Sequence, residues 1–330
     1  MGAPSTSWQE SADEAEAQRH QAFAKQLTAI QSSVDRTAGP GRALHRKQVL
    51  GLSARLEVLA DIPAHARAGL FAQPAAFDGV ARLSNGAMAP QPDDTPDIRG
   101  FALSVRGVAG EGALGGRTDR QDFLLINRPT FGFTDSRQFA AIVPALAQGK
   151  AAFMAAMVET FGAVRAPVEA ARLTKELFRP FSGFATETFF SAAPIRWGEH
   201  AAKVRLMPDQ RGRRVAPPTD LAGDMADRLR EGPVTYALQA QFFVSEEVTP
   251  IENGRVDWPE EVAEFVTVAR VVLPRQDPGS SAGVELGVRV EQDAFDPWAA
   301  LAEHRPLGEI MRARKVAYYA SQRHRHATGS

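Results

Sequence analysis

Near the end of the chain four polar side chains recur at helical spacing: Arg314, Tyr318, Gln322 and Arg325. At about 100° per residue, positions i, i+4, i+8 and i+11 fall on one narrow stripe, so in a helix two guanidiniums and a phenol face the same way. A guanidinium one turn from a phenol oxygen stabilises the phenolate by charge and hydrogen bonding. A phenolate held in this way is a hard anionic ligand for ferric iron, which makes Tyr318 the candidate metal ligand and Arg314 its partner. The same residues would also suit a basic, solvated helix with an incidental tyrosine. Tyr319 is a rival ligand, pointing about 100° off the stripe.

Redox chemistry at such an iron also needs a proton carrier, and histidine has the unperturbed pKa for that work. Seven histidines compete. His45 follows Arg42 by three residues, and on a strand the two would face opposite sides, so a bend or bulge is needed for both to reach one site. An ordinary strand histidine is the alternative. Arg82 and Ser84, two residues apart in Val80-Ala-Arg-Leu-Ser-Asn85, share a strand face by period two. The chain has no cysteine, which removes disulfides, thiolate zinc sites, iron–sulfur clusters and thiolate-ligated haem. With 38 basic against 39 acidic residues, a net charge of −1 supplies no field to gather nucleic acid or an anionic membrane.

These side chains must be positioned by elements legible in the periodicity. Helical spacing marks Trp8 to Val34, roughly Ser136 to Thr160, Val168 to Leu177, Thr219 to Arg230 and Trp298 to His324. Alternating or β-branched runs predict strands at Ala43 to Leu50, Val80 to Leu83, Gly100 to Val105, Asp122 to Leu125, Lys203 to Leu206, Thr235 to Val244, Phe265 to Leu273 and Val284 to Val290. Strands and helices are segregated, which points to an α+β protein with a barrel or sandwich rather than an alternating parallel sheet. Residues 1–38 are expected to form an N-terminal helical arm and 39–330 one domain. The most apolar run, Ala151 to Phe161, is too short to span a bilayer and carries Glu159, so a cytoplasmic protein is expected.

Taken in order, these segments resemble the haem-binding core of catalases. The proximal catalase motif is similar to Arg314 to Arg325, and the distal one to Arg42-Ala-Leu-His45. Between them, Arg82-Leu-Ser84, Arg99-Gly-Phe-Ala102, Asn127-Arg-Pro129-Thr-Phe131, Phe139 and Phe295-Asp-Pro297 follow in the catalase sequence. The resemblance implies a catalase-like antiparallel β-barrel core with flanking helices, without the C-terminal extensions of large catalases. It implies haem as cofactor, with Tyr318 as iron ligand, Arg314 on its oxygen, and Arg42, Arg82 and Arg325 on the propionates. His45 is then the distal base, Ser84 its orienting partner, Asn127 a distal polar group, and Phe131 and Phe139 rings against the haem.

Two departures matter. Ile126 stands where the first asparagine of the catalase pair would bind and polarise peroxide, which removes a preorganised hydrogen bond. Gln322 replaces a histidine of the proximal motif. The resemblance therefore implies a small catalase-related peroxidase that reduces hydrogen peroxide or organic hydroperoxides through a ferryl intermediate, with a small electron donor, in defence against oxidative stress. Allene oxide synthase-like rearrangement of a fatty-acid hydroperoxide, or a haem-free barrel with a binding role, are the alternatives. An arm of this length could wrap a neighbouring copy in a homo-oligomer.

Overall fold

The structure, a computed structural model, describes residues 3–209 and 219–327. Among the described residues nine strands form one antiparallel sheet: β1 Gln48–Val58, β2 Ala76–Asn85, β3 Arg99–Glu111, β4 Arg117–Ile126, β5 Phe189–Phe190, β6 Ile195–Trp197, β7 His200–Pro208, β8 Val234–Phe242 and β9 Phe265–Leu273. Their order is β5-β4-β3-β2-β1-β9-β8-β7-β6, and β5 also pairs with β7. Short as it is, β5 closes the ring through Ile126 opposite Phe190 and Phe189 opposite Leu206, leaving an eight-stranded barrel with β6 appended to β7. Closure pairs the edges of the eight-stranded ring, and β6 remains the strand outside it.

Period two fills the barrel. Leu52, Leu56, Ala81, Leu83, Phe101, Leu103, Leu206, Leu238 and Val271 point inward and are fully buried. The intervening positions of β2, Arg82 and Ser84, consequently face out of the barrel. They are nonetheless buried, because helices lie over this outer face.

Six helices surround the barrel among the described residues: α1 Glu16–Ala38, α2 Ser136–Gln148, α3 Lys150–Leu177, α4 Leu221–Glu231, α5 Ser281–Gln292 and α6 Glu309–His324. The apolar stripe of α1, with Phe23 and Leu27, packs on Ala313 and Ala317 of α6 in the same chain. His20 to Glu309 at 2.8 Å and His324 to Asp35 at 2.8 Å pin the two helices at both ends. α1 starts eight residues later than periodicity predicts, since the segment before it is drawn out along the barrel by Ser5 N–H to Phe243 O and Trp8 Nε1–H to Glu199 O, both 2.8 Å.

Other predicted elements shift in instructive ways. The segment Val284 to Val290, read as a strand from its alternating apolar residues, lies in the helix α5. Ser280 caps it by accepting from Gly283 N–H at 3.2 Å, and of the alternating residues only Val290 is buried, while Val284 and Val288 are exposed. The helix meets β1 through Val290 and Gly287 against Gly51, and through Gln48 Nε2–H to Gly287 O at 2.9 Å, rather than along a continuous apolar face. The predicted strand from Ala43 begins only at Gln48, and the predicted helix from Trp298 only at Glu309. α3 is the one described helix long and apolar enough to cross a membrane, yet Gly162, at φ 77° and ψ 156°, breaks it into two halves shorter than the ~20 residues a span requires.

Candidate functional site

The site is built on the outer face of the barrel, where the end of β2, the loop before β1, the end of α5 and one side of α6 meet. His45 occupies that loop with φ 50°, a left-handed conformation that is uncommon for histidine. Its N–H donates to Gly86 O at 2.9 Å, and Asn85 N–H donates to Lys47 O at 3.2 Å, so the loop is stitched to the chain leaving β2. This turn supplies the bend that a strand carrying both Arg42 and His45 would have lacked.

Nδ1 of His45 lies 3.1 Å from Ser84 Oγ. The imidazole rests against β3 at Gly100, where a Cβ would stand 2.6 Å from Nδ1 and 2.7 Å from Ser84 Oγ. Gly100, in the Arg99-Gly-Phe-Ala102 segment that reads from sequence only as a strand start, is therefore needed for the ring to lie down. Burial, followed by the charges of Arg82, Arg314 and Arg42, lowers the His45 pKa to about 3. The ring is neutral at ordinary pH. Part of its surface stays accessible.

On α6 the predicted stripe forms. Arg314 Nη2 donates to Tyr318 Oη at 3.0 Å, with the guanidinium carbon 5.1 Å from the ring centroid. Tyr319 points to solvent and is paired with Arg323, whose Nη1 donates to its oxygen at 3.1 Å. Gln322 is buried and donates to Asp296 Oδ2 at 2.9 Å, tying the segment before α6 to its last turn. Arg325 is the residue that caps α6.

Three arginines converge on the C-terminal end of α5. Arg42 Nη1 donates to Glu291 Oε1 at 2.5 Å and to Glu291 O at 3.0 Å, and its Nη2 to Asp293 O at 2.8 Å. Arg82 Nε donates to the other carboxylate oxygen, Oε2, at 2.9 Å. Arg325 donates to the carbonyls of Glu291 and Gln292, both at 3.3 Å, and Asp293 at 2.8 Å. Burial lowers the pKa of all three; the charges of Arg82 and Arg325 lower Arg42 further, and that of Arg82 lowers Arg325. Asp293 directs its carboxylate to Arg106 and Arg120 instead. Glu291 is thus the carboxylate shared by Arg42 and Arg82, a residue that follows directly on the segment Val284 to Val290 and that sequence reasoning did not single out.

The remaining candidates fall at the margin. Phe131 and Phe139 stack on each other with centroids 5.1 Å apart, and Phe139 also meets Phe23 of α1 edge-on at 5.7 Å. Phe139 packs with the cluster that contains Leu44, Ala313 and Ala317, which sets this aromatic wall beside the His45 loop and α6. Asn127 is not joined to His45. Its Oδ1 accepts from Arg99 N–H at 2.8 Å, holding the start of β3, and its Nδ2 is buried without a partner.

The donor set fits a dicarboxylate porphyrin. Three guanidiniums, Arg82 buried and Arg42 and Arg325 partly so, gather around the single carboxylate of Glu291, with the Asp293 carboxylate also acting on Arg325, and positive charge held away from water favours an anion beside it. A neutral imidazole and a phenol with a guanidinium on its oxygen stand within electrostatic reach of the same arginines, Arg314 acting on His45 and Tyr318 on Arg82.

No family model and no curated protein sequence matches this chain. Solved structures do. A bacterial catalase superposes with a TM-score of 0.68 at 18% identity, over 90% of this chain and 60% of that one. A fungal catalase gives 0.69 at 19% identity, over 91% and 62%. Catalase A from Saccharomyces cerevisiae gives 0.67 at 16%, over 92% and 64%. The chain therefore spans less than two thirds of the length of each of these structures, and at such identities the likeness is one of fold. By its closed barrel and by these superpositions over nine-tenths of its length, the chain is a catalase-like protein in architecture.

Proposed function

We propose that the protein binds haem between α6 and the His45 loop and reduces peroxides, organic hydroperoxides among them, at the expense of a small electron donor. The observation that carries this reading is the pairing of Tyr318 with Arg314 on α6, in electrostatic reach of a neutral His45 held by Ser84. Haem, when bound, supplies the iron at which the peroxide O–O bond breaks. Tyr318 Oη would be its ligand, with Arg314 donating to that oxygen. Arg42, Arg82 and Arg325 would hold the propionates.

With Nδ1 of His45 donating to Ser84 Oγ, Nε2 would keep its lone pair and could take a proton from a peroxide and return it to the leaving oxygen. Ile126 offers no hydrogen bond where one would polarise hydrogen peroxide, which favours peroxidase turnover over dismutation.

Expression with ample haem, followed by absorption spectroscopy and steady-state rates, tests the proposal. A Soret band is expected, together with donor-dependent consumption of both hydrogen peroxide and a bulky hydroperoxide. Absence of the band removes the haem reading. Rapid hydroperoxide loss without donor would instead identify a rearranging enzyme.

A further inference from the structure

The three arginines assigned to the propionates are not waiting with free forks. Glu291 takes Arg42 on one carboxylate oxygen and Arg82 on the other, at 2.5 and 2.9 Å, and the last carbonyls of α5 occupy further donors of Arg42 and Arg325. Arg82 is nearly inaccessible, whereas the Glu291 side chain keeps 37% of its surface open. The carboxylate can therefore yield its place without leaving a buried anion behind. A carboxylate arriving from outside needs the same guanidinium donors.

We infer that Glu291 is a built-in counter-ion that stabilises the ligand-free arginine cluster and competes with the carboxylates of an incoming porphyrin. This rests on the haem reading above and adds to it a device that sets how tightly the group is held. Charge-assisted hydrogen bonds are the strong ones, so yielding two of them weakens the apparent affinity for a dicarboxylate. Replacing Glu291 by glutamine removes the competing charge and leaves three guanidiniums more strongly disposed toward an anion. The haem-free protein, having lost the carboxylate between Arg42 and the buried Arg82, becomes less stable by the same change.

The test is equilibrium titration of the haem-free protein with hemin, followed by Soret absorbance, beside the same titration with hemin dimethyl ester, which carries no carboxylate charge. Glu291→Gln is expected to bind hemin about tenfold more tightly than the parent. It should leave ester binding unchanged and lower the melting temperature of the haem-free protein. Glu291→Asp, which keeps the charge but is one methylene too short to bridge both arginines, should fall between, and it answers the question if the glutamine variant fails to fold. Equal or weaker hemin binding by Glu291→Gln, or equal tightening toward the ester, overturns the counter-ion while leaving the haem reading intact. Failure of parent and variants alike to bind hemin overturns both.

Discussion

His45 lies flat against Gly100, with no room between them for a methyl group: a Cβ there would stand 2.6 Å from Nδ1 and 2.8 Å from Cε1. Gly100→Ala must therefore push the imidazole off its seat and away from Ser84. Since displacement of a catalytic group by about 1 Å costs on the order of 100-fold, the variant is expected to lose peroxide turnover on that scale while retaining haem. Steady-state kinetics with the Soret absorbance as a loading control decides it. A variant with full activity would show that the seat of His45 is irrelevant.

Ser84→Ala removes the partner of Nδ1 without adding bulk. The ring keeps its position against Gly100 but loses the group that fixes its tautomer. A neutral hydrogen bond is worth about 1 kcal/mol, so a loss of roughly five- to tenfold in kcat/KM is expected, smaller than for Gly100→Ala. Ser84→Thr should restore much of it. The ordering of the three variants is the measurement.

Tyr318→Phe and Arg314→Leu separate the ligand from its support. Removing the phenol oxygen should abolish the ligand spectrum outright. Removing the guanidinium that donates at 3.0 Å should leave haem bound but shift its spectrum and reduce turnover. Tyr319→Phe, on the exposed side of the same helix, should change neither. Unaltered iron spectra in Tyr318→Phe would refute Tyr318 as the iron ligand.

Acid should destabilise the fold through two imidazoles held neutral, those of His45 and His304. The pKa of His45 is lowered to about 3 by burial and three nearby arginines, and that of His304 to about 4 by burial, its Nε2 accepting from Leu70 N–H at 3.0 Å. Both folded values lie below the unfolded value near 6.5, so the folded state binds fewer protons. The stability they contribute is whole above pH 6.5 and is lost as pH falls toward 4 and 3, at about 1 kcal/mol per pH unit for each ring. Denaturant titrations of the haem-free protein between pH 7 and 4 should show this slope, and His304→Gln should reduce it. Turnover itself should show no histidine titration between pH 5 and 8, because His45 stays neutral throughout.

Gly51 of β1 is where α5 touches the barrel most closely, a Cβ there falling 2.7 Å from Val290 Cβ. Gly51→Ala should cost about 1–3 kcal/mol by overpacking. It should also move Glu291, the next residue along, so hemin affinity is expected to change with stability. Chemical denaturation and the same Soret titration read the two effects.

Much of the site was legible because covalent geometry writes it locally. The i, i+4 spacing of Arg314 and Tyr318 required only that α6 be a helix, and the shared face of Arg82 and Ser84 required only that β2 be a strand. The barrel could be inferred from the spacing of short alternating runs, and the absence of cysteine bounded the chemistry before any element was placed. Other features had no local signature. Alternating valines between 284 and 290 suit a strand as well as a helix until a serine cap and the packing of Gly287 and Val290 on β1 decide between them. The positive φ of His45 is imposed by the chain leaving β2, some forty residues downstream, and Asn127 turns to the start of β3 because the backbone there needs an acceptor. The sequence alone determined which side chains share a face, since that depends on periodicity. Only the tertiary structure decided which faces are covered and which carboxylate reaches the arginines, because those depend on contacts between residues hundreds of positions apart, where no local pattern carries the information.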